Sequence, residues 1–449
     1  MLIDSLSRRP LDGRQTLSAV GAAGLLALTA LLGAASVGIF EDLDPRLDLV
    51  VAGGLVLLAL LALSLTRFDL VVAIAVLLLG FVRFEPAPVD LAFAVLISIS
   101  FVTGRFDLRQ VPLSIFGLLG AVLVITMISA VNAIDPIRAL SYFLITAYLI
   151  MLAIWLTSYV RSYARVRLIV RAYIATAVIV TVPAIAALFV PFPGSDLLTF
   201  GDERAQGFFK DPNVFGPFLI PAILVILGEL LSPRLLSSGR FVKSLIGFVL
   251  VAGVFFSYSR AAWLALVVGV LAMFPVIAFR RHGGRQAAAL VGAAALATIG
   301  IAAVVTASGS ESFLRERARF QTYDVERFGA QASGAQLARE YPLGIGPGQF
   351  ERVSEISAHS SYVRALAEQG VLGAAALIAL MLTTLLLALR NAVRGRSTYG
   401  LGSAILFGAW CGILVNSAFV DTLHWRHLWV LAALIWIGAT QATRADPLD

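Results

Sequence analysis

Apolar residues in this chain neither alternate with polar ones nor recur on one helical stripe; they arrive in long, nearly unbroken runs separated by short polar stretches. The runs lie near residues 17–40, 47–65, 69–84, 89–104, 111–131, 138–160, 168–192, 213–231, 243–258, 261–279, 287–307, 361–388, 401–420 and 426–442. A helix needs about 20 largely apolar residues to cross a bilayer core, and uniform apolarity marks burial on every side. The pattern therefore predicts an all-α, polytopic integral membrane protein with about 12–14 transmembrane helices. The third and fourth runs are short and read as a tilted pair, re-entrant segments or mis-split spans. No repeat, Gly/Ser linker or low-complexity tract divides the chain, so residues 1–449 read as one transmembrane domain.

Composition agrees. Hydrophobic residues make up 59% and charged residues 14% of the chain, against roughly 45–50% and 25% in ordinary soluble domains. The single cysteine, Cys411, excludes an intrachain disulfide and a cysteine-based metal site, and reads as core packing. The first run, Thr16 to Phe40, is too long for a signal-peptide core and lacks a small-residue cleavage pattern, so it reads as a retained span.

The net charge of +7 comes from Lys and Arg scattered over short loops, not clustered on one face, which argues against a nucleic-acid partner. With the N-terminus in the cytoplasm, about 20 of the 34 basic residues fall in short inside loops, the positive-inside pattern, with both termini cytoplasmic. Two outside loops exceed tight turns: Phe192 to Asp211, and a long extracytoplasmic loop from about 308 to 360. In the second, Phe313 to Arg319 and Val325 to Glu340 read as short amphipathic helices, Gly344 to Gly348 as a turn, and the interleaved Phe, Leu and Tyr predict order.

Three constellations carry candidate chemistry. Arg204, Lys210, Asp211 and Asn213 precede the 213–231 run; Asp211 or Asn213 can cap that helix beside Pro212, leaving its N–H groups and two cations facing outward. Such an end binds anions. The same residues also suit an ordinary capped helix with snorkelling cations. Ser257-Tyr258-Ser259-Arg260 joins two spans with almost no loop, so Arg260 sits near the outer membrane plane, where an arginine is costly unless it is paired or lines a wet cavity. Finally, His359 precedes a plausible N-cap, Ser360, at the mouth of the 361–388 run; its ordinary pKa near 6.5 suits proton transfer, although a loop histidine is commonly just solvated. Arg364 and Glu368 follow at i, i+4 and can pair within the outer leaflet, and Tyr362 shares that helix mouth. Rival readings are weaker. Asp42-Leu-Asp44 has a D-x-D spacing that can hold a divalent cation, and Asp421, His424 and His427 could ligate zinc, although Trp425 and Trp429 beside them suit an interfacial aromatic belt.

Three motifs in order resemble the O-antigen ligase and O-antigen polymerase superfamily of bacterial envelope proteins. They are Arg204-x-x-Gly207-Phe-Phe-x-Asp211-Pro-Asn213; Ser257-Tyr-Ser-Arg260-Ala-Ala; and Tyr341-Pro-Leu-Gly344-Ile-Gly346-Pro-Gly348-Gln-Phe350, leading to His359-Ser-Ser-Tyr362 and Glu368-Gln-Gly370-Val-Leu-Gly373. One departure is Ser360, where the family commonly has Asn. The resemblance implies an enzyme of the bacterial inner membrane, active on its extracytoplasmic face, that moves a glycan from an undecaprenyl-pyrophosphate carrier to an acceptor sugar hydroxyl. The acceptor is a lipid-anchored core sugar or a protein in a ligase and another carrier-linked repeat in a polymerase. It also implies His359, Arg260 and Arg204 as catalytic residues, with Lys210, Asp211, Asn213, Tyr362, Arg364 and Glu368 as substrate contacts, and membrane lipids as the surroundings. No cofactor or metal is called for. A transporter or flippase is the reading from another class; it would place its polar groups near the bilayer midplane.

Overall fold

The computed structural model describes residues 45–441 apart from 86, 202, 355 and most of 279–321. The runs at 17–40 and 287–307, the pair Asp42 and Asp44, His282 and the helix expected at 313–319 lie outside the described residues.

Each of the other runs is a helix. In chain order these are α1 Pro45–Thr66, α2 Phe68–Leu77, α3 Pro88–Val102, α4 Leu113–Ser129, α5 Pro136–Tyr159, α6 Tyr163–Ala187, α7 Pro212–Leu231, α8 Arg240–Phe256, α9 Arg260–Ala278, α10 Thr322–Glu340, α11 Phe350–Val353, α12 Ser361–Val393, α13 Ser403–Ser417 and α14 Arg426–Thr440. Two-residue hairpins, β1 Thr199–Phe200 with β2 Arg204–Ala205 and β3 Ser397–Thr398 with β4 Leu401–Gly402, supply the described sheet. Among the described residues, six helices are long and apolar enough to cross a membrane. The short runs at 69–84 and 89–104 give α2, followed by a 3-10 turn, and α3, which pack on each other.

The bundle is apolar inside and out. Trp155, Trp429 and Trp436 are fully buried, while Leu113, Ile137 and Leu386 stand exposed on its flanks. An apolar exterior suits lipid. Without water in the hydrocarbon, buried donors need internal partners. Accordingly Trp155 donates to Ser100 Oγ at 2.8 Å, Trp410 to the Met381 carbonyl at 3.1 Å, and Trp436 to Thr384 Oγ1 at 3.0 Å. Helices α9 and α13 approach backbone to backbone through Ala265, Gly269, Gly408 and Gly412. A Cβ on Gly408 would lie 2.5 Å from the Gly269 carbonyl oxygen, and one on Gly412 2.7 Å from that of Ala265. Small residues four apart are how membrane helices reach such distances.

Polar contacts collect at the two ends. One end holds the Arg426–Asp90, Arg364–Asp421 and Lys210–Glu85 ion pairs. The other holds Arg161–Asp107, Arg165–Asp69 and Lys243–Glu229. At the first end α10 packs along α12, and Phe350, Ala358 and Ala367 form a small core with Leu337 and Val363. The described residues of 322–360 thus pack on their own apolar side chains, and the helix Thr322–Glu340 includes the expected Val325 to Glu340.

Candidate functional site

The β1–β2 hairpin presents Arg204. The Gln206 and Gly207 amides both donate to the Leu198 carbonyl at 3.0 Å, closing the turn, and Gly207 takes φ +57° with Val180 O 3.1 Å from where a Cβ would stand. Four residues on, Asp211 caps α7: its Oδ1 accepts from the Asn213 amide at 2.7 Å, with Pro212 in the first turn, where its missing N–H costs nothing. Arg204 Nε donates to the Ser257 carbonyl at 3.0 Å, Nη2 reaches Asn213 Oδ1 at 3.4 Å, and the guanidinium carbon lies 5.7 Å from the centre of the Phe200 ring. One side chain thereby ties the first motif to the second.

That second motif is a tight corner. Ser257 and Ser259 are fully buried, and Ser257 Oγ accepts from the Ser259 amide at 3.2 Å. Tyr258, buried between them, has φ +48°, a left-handed conformation that non-glycine residues rarely hold. Arg260 opens α9 immediately after and is half-buried. Gly216 on α7 lets the corner close, since a Cβ there would meet Ser257 Oγ at 2.7 Å and Ala262 Cβ at 2.9 Å.

His359 lies at the same end and is also left-handed, at φ +45°. It is held between Ala358, which is fully buried, and Ser360, whose Oγ caps α12 by accepting from the Val363 amide at 3.4 Å. Arg327 of α10 donates through Nη2 to the His359 carbonyl at 3.3 Å. The imidazole is half-buried, and burial holds its pKa below the usual 6.5, helped by the Arg327 and Arg364 charges and opposed by Asp211 and Glu351. It is therefore a neutral base at neutral pH, close enough to the α7 cap to sense the Asp211 charge. Among the described residues three non-glycine residues have positive φ, namely Tyr258, His359 and Tyr399, and two of these sit in the motifs read as chemical. Strain of that kind costs about 1–3 kcal/mol and gathers at functional sites.

Arg364 and Glu368 go to a different task. Arg364 Nε pairs with Asp421 at 2.9 Å, Nη1 with Glu368 at 3.0 Å, and Nη2 with Glu351. Glu368 is buried, and its carboxylate accepts from the Gly348 amide at 2.8 Å and the Phe350 amide at 3.1 Å. The glycine-rich stretch has φ +85° at Gly344, +100° at Gly346 and +71° at Gly348. It docks on a break in α12 at Gly370, which has φ 69° and ψ −172°. There the Ile345 and Gly346 amides take the Ala367 and Glu368 carbonyls at 3.0 and 2.9 Å. The paired halves of the third motif are thus two sides of one backbone joint. Of the remaining candidates, Lys210 pairs with Glu85 at 3.0 Å and is half-exposed, and Tyr362 donates to the Leu414 carbonyl at 2.9 Å.

Several residues here were not singled out from sequence: Arg327, Glu351, Arg138, Asp135 and Ser357. Glu351 bridges Arg364 and Arg138, and burial, which would raise its carboxyl, is outweighed by the Arg364 hydrogen bond and charge, leaving it below the usual range. Asp135 caps α5 and pairs with Arg352 at 2.6 Å, while the Gln349 amide bonds the Asp135 carbonyl at 3.1 Å. Asp135 and Arg138 find these partners 213–217 residues away, a relation no local pattern records. The zinc reading of Asp421, His424 and His427 disperses: Asp421 meets Arg364, His424 Nε2 lies 3.1 Å from Thr146 Oγ1, and His427 packs on Phe218 and Trp425.

Compared with known proteins, residues 245–378 match a family model described as O-antigen ligase. The match covers the Ser257–Arg260 corner, the docking loop, His359 and the broken helix. No curated protein matches the chain.

Proposed function

We propose that this chain, whose residues 245–378 match the O-antigen ligase family model, is a membrane glycosyltransferase that moves a glycan from an undecaprenyl-pyrophosphate carrier to the hydroxyl of an acceptor sugar. His359 is the general base. The acceptor oxygen attacks the anomeric carbon, its proton passes to the His359 imidazole, and the bond from that carbon to the pyrophosphate oxygen breaks. The pyrophosphate leaves with the bonding pair, and Arg204 and Arg260 meet its charge. A single displacement inverts the anomeric centre, and the donor and acceptor chemistry needs no metal.

The observation that carries this reading is the Arg204 bridge from Asn213 to Ser257, at the same end of the bundle as a half-buried, neutral imidazole in strained backbone. Guanidinium groups suit bidentate phosphate contact, and low dielectric at the helix mouths strengthens it. Asp211 and Asn213 then act by capping α7 and setting Arg204 rather than by contacting sugar, and Arg364 with Glu368 acts through the loop. We place this end on the extracytoplasmic face, because the opposite end carries Arg161, Arg165, Arg167, Arg171, Arg390, Arg394 and Arg396 with few acids, as cytoplasmic loops do.

A transporter would use broken helices as a substrate path. The break at Gly370 is filled by the 344–346 backbone, which favours the enzyme. Incubating the purified protein with a lipid-pyrophosphate glycan and several acceptors tests the reading. Product on a lipid-anchored or protein acceptor marks a ligase, and lengthened carrier-linked chains mark a polymerase. No product with any acceptor, or an active His359→Ala enzyme, overturns the assignment.

A further inference from the structure

The end of the bundle opposite His359 contains a cavity of about 200 Å³ that the transfer reaction does not use. It lies where α7 ends and α13 begins. Its apolar wall is made by Val225, Leu231, Ile277 and Ile405, and its polar rim by Arg234 and Arg396.

The rim is built, not incidental. Glu229, the acid in the lining, is fully engaged: it accepts from the Arg234, Leu235 and Leu236 amides at 3.0, 2.8 and 3.1 Å and pairs with the buried Lys243 at 3.0 Å. It fixes the backbone of Arg234 and leaves the two guanidiniums without its charge. Tyr163 joins the halves of the rim. Its hydroxyl donates to the Arg234 carbonyl, and its ring lies 3.0 Å from where a Cβ on Gly400 would stand, so it fits against the β3–β4 hairpin that follows Arg396.

Among the described residues, neither Arg234 nor Arg396 has an acidic partner, and Arg396 Nη1 is a buried donor with no hydrogen-bond acceptor. Burial, then the nearby Arg394 and Arg390, push Arg396 below its ordinary pKa, so the positive charge there is itself uncompensated. A buried cationic donor without an acceptor is left desolvated and unsatisfied, a deficit that an anion would relieve. The α13 N-terminus adds a favourable dipole, and its Gly402 cap contributes no side-chain bond.

We propose that this cavity seats the phosphate of an anionic phospholipid, with Arg396 and Arg234 gripping the headgroup and an acyl chain lying along Ile277 and Ile405. A lipid fits better than a free phosphate because the basic rim opens onto an apolar wall at a helix end, where an amphiphile satisfies both. The site is independent of the glycan transfer at the other end.

The test uses the full-length protein in zwitterionic phosphatidylcholine nanodiscs, with short-chain phosphatidylglycerol, short-chain phosphatidylcholine or inorganic phosphate added while melting temperature and bound lipid by native mass spectrometry are followed. Phosphatidylglycerol should raise the melting temperature and remain bound. Arg234→Ala and Arg396→Ala should each weaken its binding by roughly fivefold, and the double variant by about 25-fold. No variant should melt below wild type in the zwitterionic disc, which separates lost binding from lost folding; Arg396→Lys, which keeps the charge, should retain most of the affinity. The proposal is overturned by equal phosphatidylglycerol binding in wild type and double variant, by an equal shift with phosphatidylcholine, or by inorganic phosphate alone reproducing the full effect.

Discussion

In the proposed transfer His359 can serve as the base only while its imidazole is neutral. Its folded pKa lies below 6.5, so the neutral form persists at neutral pH and is lost as pH falls through the lowered value. Transfer should therefore hold constant near neutrality and decline on the acid side of pH 6.5, and Arg327→Ala, which removes one cause of the depression, should move that acid limb to higher pH. A pH–rate profile of both proteins checks this, and an unmoved limb would mean that Arg327 only supports the fold. His359→Ala should lower the rate by about 10²–10⁴-fold at all pH values. Lys210→Ala should lower it far less than Arg204→Ala, since Lys210 is half-exposed and paired with Glu85 whereas Arg204 bridges two motifs. At this scale Arg204, Arg260 and His359 stood out as candidates because each stands beside a cap or a tight corner that a short pattern displays. Arg327 and Glu351 were not, because their roles come from partners on other elements.

Helix α12 shows where pattern reading stops. Its residues 361–388 are apolar enough to read as one span, and that span exists, yet the chain leaves helical geometry at Gly370. A period-based reading detects which face is apolar, not whether a turn of hydrogen bonds has been lent to a neighbouring loop. The same limit applied to Arg364 and Glu368: spacing at i, i+4 identified the pair, but their use as the anchor of the 344–350 loop depends on Glu351 and Asp421. Gly370→Ala should thus be severe. Its φ is +69° and its Cβ would lie 2.1 Å from the Pro342 carbonyl oxygen, so a loss of about 2–4 kcal/mol is expected, visible as a lower melting temperature in detergent. Glu368→Ala strips the acceptor from two buried amides and should cost about 2–5 kcal/mol. Were it instead a sugar contact, the variant would melt normally and show only a raised KM.

Across the whole molecule, the two ends differ in charge as strongly as the flanks resemble each other in apolarity. Around His359 the cations Arg138, Arg204, Lys210, Arg260, Arg327, Arg352, Arg364 and Arg426 stand among Glu85, Asp90, Asp135, Asp211, Glu351, Glu368 and Asp421, whereas the far end sets Arg161, Arg165, Arg167, Arg171, Arg240, Lys243, Arg390, Arg394 and Arg396 against Asp69, Asp107 and Glu229. Such an imbalance orients a bundle, since basic loops resist translocation and acidic ones weigh little. Under the proposed function, a carrier-linked glycan reacting at the balanced end would then meet the protein from outside the cytoplasm. Orientation can be read directly by cysteine labelling, because Cys411 is the chain's single thiol and lies half-buried in α13, so Cys411→Ala provides a silent background. In that background Asp196→Cys, on the exposed loop before Arg204, should react with a membrane-impermeant maleimide in intact cells. Ser237→Cys, between α7 and α8, should react only after the membrane is opened. The reverse pattern would put Arg204 and His359 on the cytoplasmic side, and the transfer assigned to them would have to draw on donor and acceptor there.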